Sequence, residues 1–200
     1  MSGFGGATVG SAVRSCRIAD RSGFGSGCCA DGRRVDPINP DCRGHWPPVY
    51  TRPAMPVAVS VANEATEEMV DAFAKLIPQL SSSNPPPTLA ELAAIVANEA
   101  SHLLIARDVA TNTILGSLTL VVFPIPTAIR AWIEDVVVDT DARGSGAGAA
   151  LNTEAIKLAG QLGAKTVDLT SRPSREAANR LYQRLGFELR VTNCYRYTIV

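Results

Sequence analysis

Apolar positions between residues 56 and 200 follow two periods, and the switches between them mark the elements. Val57, Val59 and Val61 alternate with other residues, which predicts a first strand over residues 56–61. Met69, Val70, Phe73, Leu76, Ile77 and Leu80 then follow a helical period, with Thr66 as cap and Glu67 and Glu68 in the first turn. Pro78 is expected to end or kink that helix. A Ser/Asn/Pro run at 81–87 reads as a loop. Thr88 and Glu91 then form a capping box for a second helix lined by Leu89, Leu92, Ile95 and Val96. Three strands are expected at 102–107, 114–123 and 131–138, with Pro124 and Pro126 closing the second. Their short separations predict an antiparallel meander. Ala147, Leu151, Ala155, Leu158 and Leu162 restore the helical period, and Gly163 ends it. A strand at 165–170 follows, then a helix with Ser174 as cap that carries Ala178, Leu181, Tyr182 and Leu185. Residues 187–200 alternate again and predict a last strand. The sum is a mixed α/β fold of three layers with antiparallel and crossover parts.

Composition separates a different N-terminal segment. Residues 1–52 hold nine of sixteen Gly, four of five Cys and seven Arg, with four Asp and neither Lys nor Glu. They show no sustained period, and such tracts bury too little apolar area to offset the entropy of ordering. Residues 1–53 are therefore expected to be a disordered tail, and 54–200 one folded domain. The Arg and Ser content could suit an organelle-targeting peptide, but the four Asp argue against that. Cys28, Cys29, Cys42 and His45 could be proposed as zinc ligands. Adjacent cysteines chelate one tetrahedral ion poorly, and no second close ligand pair is present. Over the whole chain nineteen basic residues balance nineteen acidic ones, which gives no support to a nucleic-acid or acidic-membrane binder. No apolar run is long enough to span a bilayer, and no secretory h-region is visible, so a cytoplasmic address is the expectation.

The chemistry-bearing run is Arg143-Gly-Ser-Gly-Ala-Gly148, placed after a strand and opening a helix. Glycines let the backbone turn tightly and approach a ligand, while the unpaired N–H groups of a first helical turn favour a phosphate or pyrophosphate. Arg143 can add a charged clamp. Gly144, Gly146 and Gly148 do not have dinucleotide-fingerprint spacing, and no Lys-Ser/Thr pair follows as a P-loop requires.

Two motifs together resemble the GCN5-related N-acetyltransferase (GNAT) superfamily. Arg143-x-x-Gly146-x-Gly148 is similar to its acyl-CoA motif, and residues 133–139, Ile-Glu-Asp-Val-Val-Val-Asp, to the strand before it. Ala178-x-x-Leu181-Tyr182-x-x-x-Gly186-Phe187 is similar to its C-terminal signature. The resemblance covers about 55–200. It implies a mostly antiparallel sheet flanked by helices on both faces, and acetyl-CoA as co-substrate. By the same resemblance, N–H groups of Gly144, Gly146, Ala147, Gly148 and Ala149 would hold the pyrophosphate, with Arg143 beside it. Val136, Val137 and Val138 would meet the pantetheine arm as a pseudo-strand. An amine would attack the thioester directly, and Tyr182 would protonate the leaving thiolate, a fair task for a phenol with a reference pKa of about 10.

The base is open between Glu134, Asp135 and water. The two carboxylates are adjacent, so on a regular strand they face opposite sides; the reading leans to Glu134. Arg175 departs from the family pattern, which has Asn there. It could instead reach a CoA phosphate, with Ser174 supplying a small polar group. Cys194 as a nucleophile has no His between 103 and 200 to activate it. The acceptor is expected to be an amine on a small molecule or peptide, shaped by residues 78–88 and 123–130, with Trp132 and Phe123 either beside it or in the core. A non-catalytic acyl-CoA-binding sensor or scaffold is the alternative; a kinase is disfavoured by the missing P-loop residues. A homodimer is left open, since the exposed edge of the last strand offers a surface for it.

Overall fold

A computed structural model describes residues 56–199. They fall within one unit, Arg52–Val200. The N-terminal tail reading and the cysteine and histidine candidates at 28, 29, 42 and 45 lie outside the described residues. The elements are β1 (Val57–Val61), α1 (Glu67–Leu80), α2 (Leu89–Val96), β2 (Ser101–Asp108), β3 (Ile114–Ile125), β4 (Ala128–Val138), α3 (Ala147–Gln161), β5 (Thr166–Leu169) and α4 (Glu176–Arg184). The strands form one sheet in the order β1-β2-β3-β4-β5, antiparallel except for the parallel β4–β5 pair.

β2 shows why this sheet has helices on both faces. Its run Leu103–Ala106 is buried throughout, which a one-sided sheet would not require. Leu104 and Ala106 belong to a core with Leu151, Ala155 and Ala159 of α3. Leu103 and Ile105 belong to a second core with Met69, Phe73 and Leu76 of α1 and Leu92 of α2. Each fully buried Leu contributes about 1.5–3 kcal/mol relative to exposure, so both faces favour the same register. Gly116 is required by close approach: a Cβ there would stand 2.4 Å from the Val137 carbonyl oxygen.

Several expectations are corrected. Pro78 does not end α1, which runs on through Leu80. It sits in the last turn and removes a single helical bond, while Gln79 and Lys75 pin that turn to residues 139–141 from outside. β3 continues through Pro124 to Ile125 and turns through Pro126-Thr127 into β4. β2 reaches only as far as Val121, so beyond it β3 has one unpaired side on which a missing N–H costs no ladder bond. The 123–130 segment is therefore mostly hairpin. Ser174 is not the cap of α4; Arg175 occupies that position with no side-chain capping bond. Residues 187–199 form no strand. Leu189, Val191, Tyr195, Tyr197 and Ile199 are exposed, so period-2 alternation was present without a partner strand to bury it.

Candidate active site

The centre of the site is a break in β4. Ser117 pairs with Val137, but Thr119 pairs with Glu134, so Asp135 and Val136 together face Leu118. Asp135 takes φ +49°, uncommon for a residue with a side chain and characteristic of a strained bulge. The bulge inverts the strand's parity. Ala131 and Ile133 face the α3 core before it, and Val136 and Val138 do so after it, while Val137 joins the α1 core. Strict alternation had put Glu134 and Asp135 on opposite sides. In the structure, Glu134 stands opposite Thr119, and Thr119 and Asp135 line one cavity. Both carboxylates therefore serve the α1 face. Glu134 accepts a hydrogen bond from the Trp132 ring N–H at 2.8 Å, whereas Asp135 lines the cavity.

Close to the same break, one edge of β4 is free. β5 pairs only with Arg130–Ile133, so Val136–Val138 have no strand on that side. The free edge leads to the start of α3. Gly146 is its N-cap at φ +92° with no side-chain capping bond. Among the described residues, the N–H groups of Gly144, Gly146, Gly148 and Ala149 have no backbone partner, while Ala147 N donates to Ser145 Oγ at 3.2 Å. Nothing lies within 4 Å of where a Cβ on Gly144 or Gly146 would stand, so the turn is an open cradle. Arg143 is exposed beside it. These amides with Arg143 suit a pyrophosphate, and the free β4 edge suits an amide-bearing arm. Asn152, fully buried in α3, donates to the Gly148 carbonyl at 2.8 Å and braces the first turn. Sequence reasoning missed it. The available signal was a lone Asn four residues after Gly148, on the face that also carries Ala155 and Ala159.

On the α1 side a cavity of about 210 Å³ lies among Phe73, Ile77, Leu80, Leu92 and Leu103, with Ser117, Thr119 and Asp135 as polar groups. The 81–87 loop closes it through Asn84, Pro85 and Pro87. Part of the 78–88 segment thus lines a cavity together with α1 side chains that the sequence reading takes only as core. α1 is tied to the approach of the glycine turn. Lys75 forms an ion pair with Asp139, Gln79 Nε2 donates to Asp139 at 3.4 Å, and Thr140 N donates to Gln79 Oε1 at 2.9 Å. The Lys75 ammonium beside Asp139 holds its carboxyl below the usual range, and Asp139 raises the Lys75 ammonium.

α4 joins both parts. Leu181 Cδ2 and Val138 Cγ2 stand 3.4 and 3.7 Å from where a Gly148 Cβ would be, so α3, α4 and β4 meet there. Arg175 donates to the Leu80 carbonyl at 3.3 Å and ties α4 to the end of α1. Ser174 is exposed. Tyr182 rests edge-on against Phe187, with ring centroids 5.8 Å apart. Burial pushes its phenol above the usual value, and the Arg175 charge acts weakly the other way. Tyr182 is thus held protonated at neutral pH.

Residues 66–187 match the acetyltransferase (GNAT) family. An acetyltransferase from Trypanosoma brucei has 26% identity over 72% of this chain and 100% of its own, with a TM-score of 0.59. A transcriptional regulator from Bacillus halodurans C-125 has 27% identity over the same shares, also at 0.59. An aminoglycoside acetyltransferase from an uncultured soil sample, solved with sisomicin, shares the fold at 18% identity, covering 72% of this chain and 97% of its own at 0.61. None of the curated proteins matches. Among the described residues no helix is long and apolar enough to cross a membrane. The family match spans more than half the chain and contains the β4 bulge, the bare α3 N-terminus and Tyr182: this chain belongs to the acetyltransferase (GNAT) family.

Proposed function

We propose that this chain transfers the acetyl group of acetyl-CoA to a primary amine by direct attack in a ternary complex. The observation that carries the reading is the unpaired β4 edge at Val136–Val138 leading into the uncapped first turn of α3. Main-chain groups of Val136 and Val138 hold the pantetheine amides. The N–H groups of Gly144, Gly146, Ala147, Gly148 and Ala149 hold the pyrophosphate, with Arg143 beside it. Gly146 in particular presents its amide with no side chain in the way.

The acceptor enters the cleft beneath α1. Apolar walls and a single carboxylate suit an amine on a compact, mainly apolar body, with Ser117 and Thr119 for one or two polar groups. One carboxylate offers a ligand with many ammonium groups little charge pairing. Asp135 is the base in this reading in place of Glu134, because it lines the cavity while Glu134 is engaged by Trp132. Asp135 takes the ammonium proton and the neutral amine attacks the thioester carbonyl; the C–S bond breaks as Tyr182 gives its proton to the departing thiolate, and the surplus proton on the new amide nitrogen goes back to the Tyr182 phenolate. Arg175 holds α4 against α1 and so orients Tyr182; the reading leaves no contact for Ser174.

Calorimetric titration with acetyl-CoA, with NAD and ATP as controls, tests the first half. Free-thiol release across a panel of amines tests the second. Binding of acetyl-CoA alone, with thiol release for apolar primary amines, is expected. A folded protein that binds no acetyl-CoA overturns the reading. Binding without turnover on any amine would leave only an acyl-CoA-binding domain.

A further inference from the structure

The cavity beneath α1 has a charge of each sign beside it, on different elements. Asp135 of β4 lines it, with Ser117 and Thr119 of β3. Leu80, the last residue of α1, lines it as well, and the Leu80 carbonyl accepts a hydrogen bond from Arg175 at 3.3 Å. That bond sets a guanidinium at the rim and occupies one of its five N–H donors. Among the described residues Arg175 forms no ion pair, and its guanidinium has no other hydrogen-bond partner. Asn84, exposed in the lining close after the end of α1, adds an amide to the same rim. Besides burial, which raises the Tyr182 phenol, the Arg175 charge acts on that phenol too, so it lies on the reacting side of α4.

We propose that the acceptor is a zwitterion, an amino acid with a small apolar side chain, whose ammonium meets Asp135 and whose carboxylate meets Arg175. The inference rests on the acetyl-transfer reading above and narrows its acceptor. A planar carboxylate matches the planar fork of a guanidinium, and Arg175 has N–H groups to spare for it. Two charge-assisted hydrogen bonds of about 2.8 Å, with the amino acid's own charged groups between them, reach roughly 8 Å. That is comparable to the width of a cavity of about 210 Å³. Phe73, Ile77 and Leu80 then face the side chain. An amine with no anionic group would leave the Arg175 charge unmatched, and one with a second ammonium would be repelled by it. The N–C bond forms as the thioester C–S bond breaks, the ammonium proton leaves through Asp135, and the products are an N-acetylamino acid and free CoA.

Leucine, leucinamide and 3-methylbutylamine share one apolar body and differ at the carboxylate. Free-thiol release from acetyl-CoA by the full 200-residue chain should give leucine a kcat/KM about ten- to a hundredfold above the other two. That order is expected although leucinamide is the more readily deprotonated amine. Arg175→Ala should abolish the preference by raising KM for leucine, while any misplacement of Tyr182 lowers kcat for all three alike. Arg175→Lys, which keeps the charge, should restore most of it. Phosphoethanolamine, anionic but without an apolar body, should react far more slowly than leucine. Equal kcat/KM for leucine and 3-methylbutylamine in the wild type, a comparison that needs no variant, overturns the zwitterion and leaves acetyl transfer to amines standing. A leucine preference that survives in folded Arg175→Ala overturns it too, as does phosphoethanolamine ahead of leucine. Thiol release with none of the four, from a chain that binds acetyl-CoA, overturns this proposal and the amine-acceptor reading together.

Discussion

At the edge of β4, Val136–Val138 and the first turn of α3 present amides and carbonyls, with glycines keeping side chains out of the way. Beneath α1 the same strand presents Asp135 to a cleft walled by Phe73, Ile77 and Leu80. In the proposed reading the first region recognises its ligand by main chain and the second by side chain. Main-chain recognition needs particular backbone angles, so it constrains residue type at few positions and leaves a motif. Side-chain recognition draws on α1, α2, β2, β3 and β4 at once, and any apolar set of suitable volume can form it. The bulge at Asp135 lies between the two, just beyond the last β4 residue that pairs with β5.

The largest effect should come from the frame shared by the two regions. Gly116→Val places side-chain atoms where the Val137 carbonyl stands, and should cost about 3 kcal/mol or more with loss of acetyl-CoA binding, read by thermal melting and calorimetry. Asp135→Asn probes the side-chain region alone. Its expected loss is about a hundredfold in kcat/KM for the amine, with acetyl-CoA affinity unchanged, and Glu134→Gln should do far less. Equal losses from the two would break the distinction drawn between the carboxylates.

Tyr182→Phe should lower kcat by roughly ten- to a hundredfold and leave both affinities near wild type. Because burial raises this phenol, the alkaline limb of the kcat profile should lie above the ordinary value of about 10. Arg175→Ala removes a charge that lowers it, and so should move the limb further up. Gly146→Val meets no atom but is strained at φ +92°, so acetyl-CoA affinity should fall about tenfold, with little change for the amine. Asp139→Asn should have the smallest effect. The folded carboxyl lies below its unfolded value, so its stabilisation is present above the unfolded pKa and lost as pH falls through the folded one. Melting curves of wild type and variant should therefore differ at neutral pH and converge in acid.

Among the described residues periodicity located the four α-helices and the five strands, because each buries a face whose spacing follows from its own geometry. It also predicted a sixth strand at 187–200, where the alternation is just as regular. There it reported what the segment could bury and not where a partner lies. The pair Glu134–Asp135 failed for a related reason. Strand parity holds only while the ladder is regular, and nothing in Trp-Ile-Glu-Asp-Val announces a bulge.

From sequence alone came the element order, the glycine turn and the phenol on α4, because helix caps, turns and periods are local and each constrains its own residues. Tertiary structure alone decided that Asp135 faces the cleft, that β4 keeps a free edge beyond Ile133, and that Lys75 and Gln79 hold the loop before α3. These depend on contacts between residues up to sixty or more positions apart, whose energies are set by the packed fold and not by neighbours in the chain.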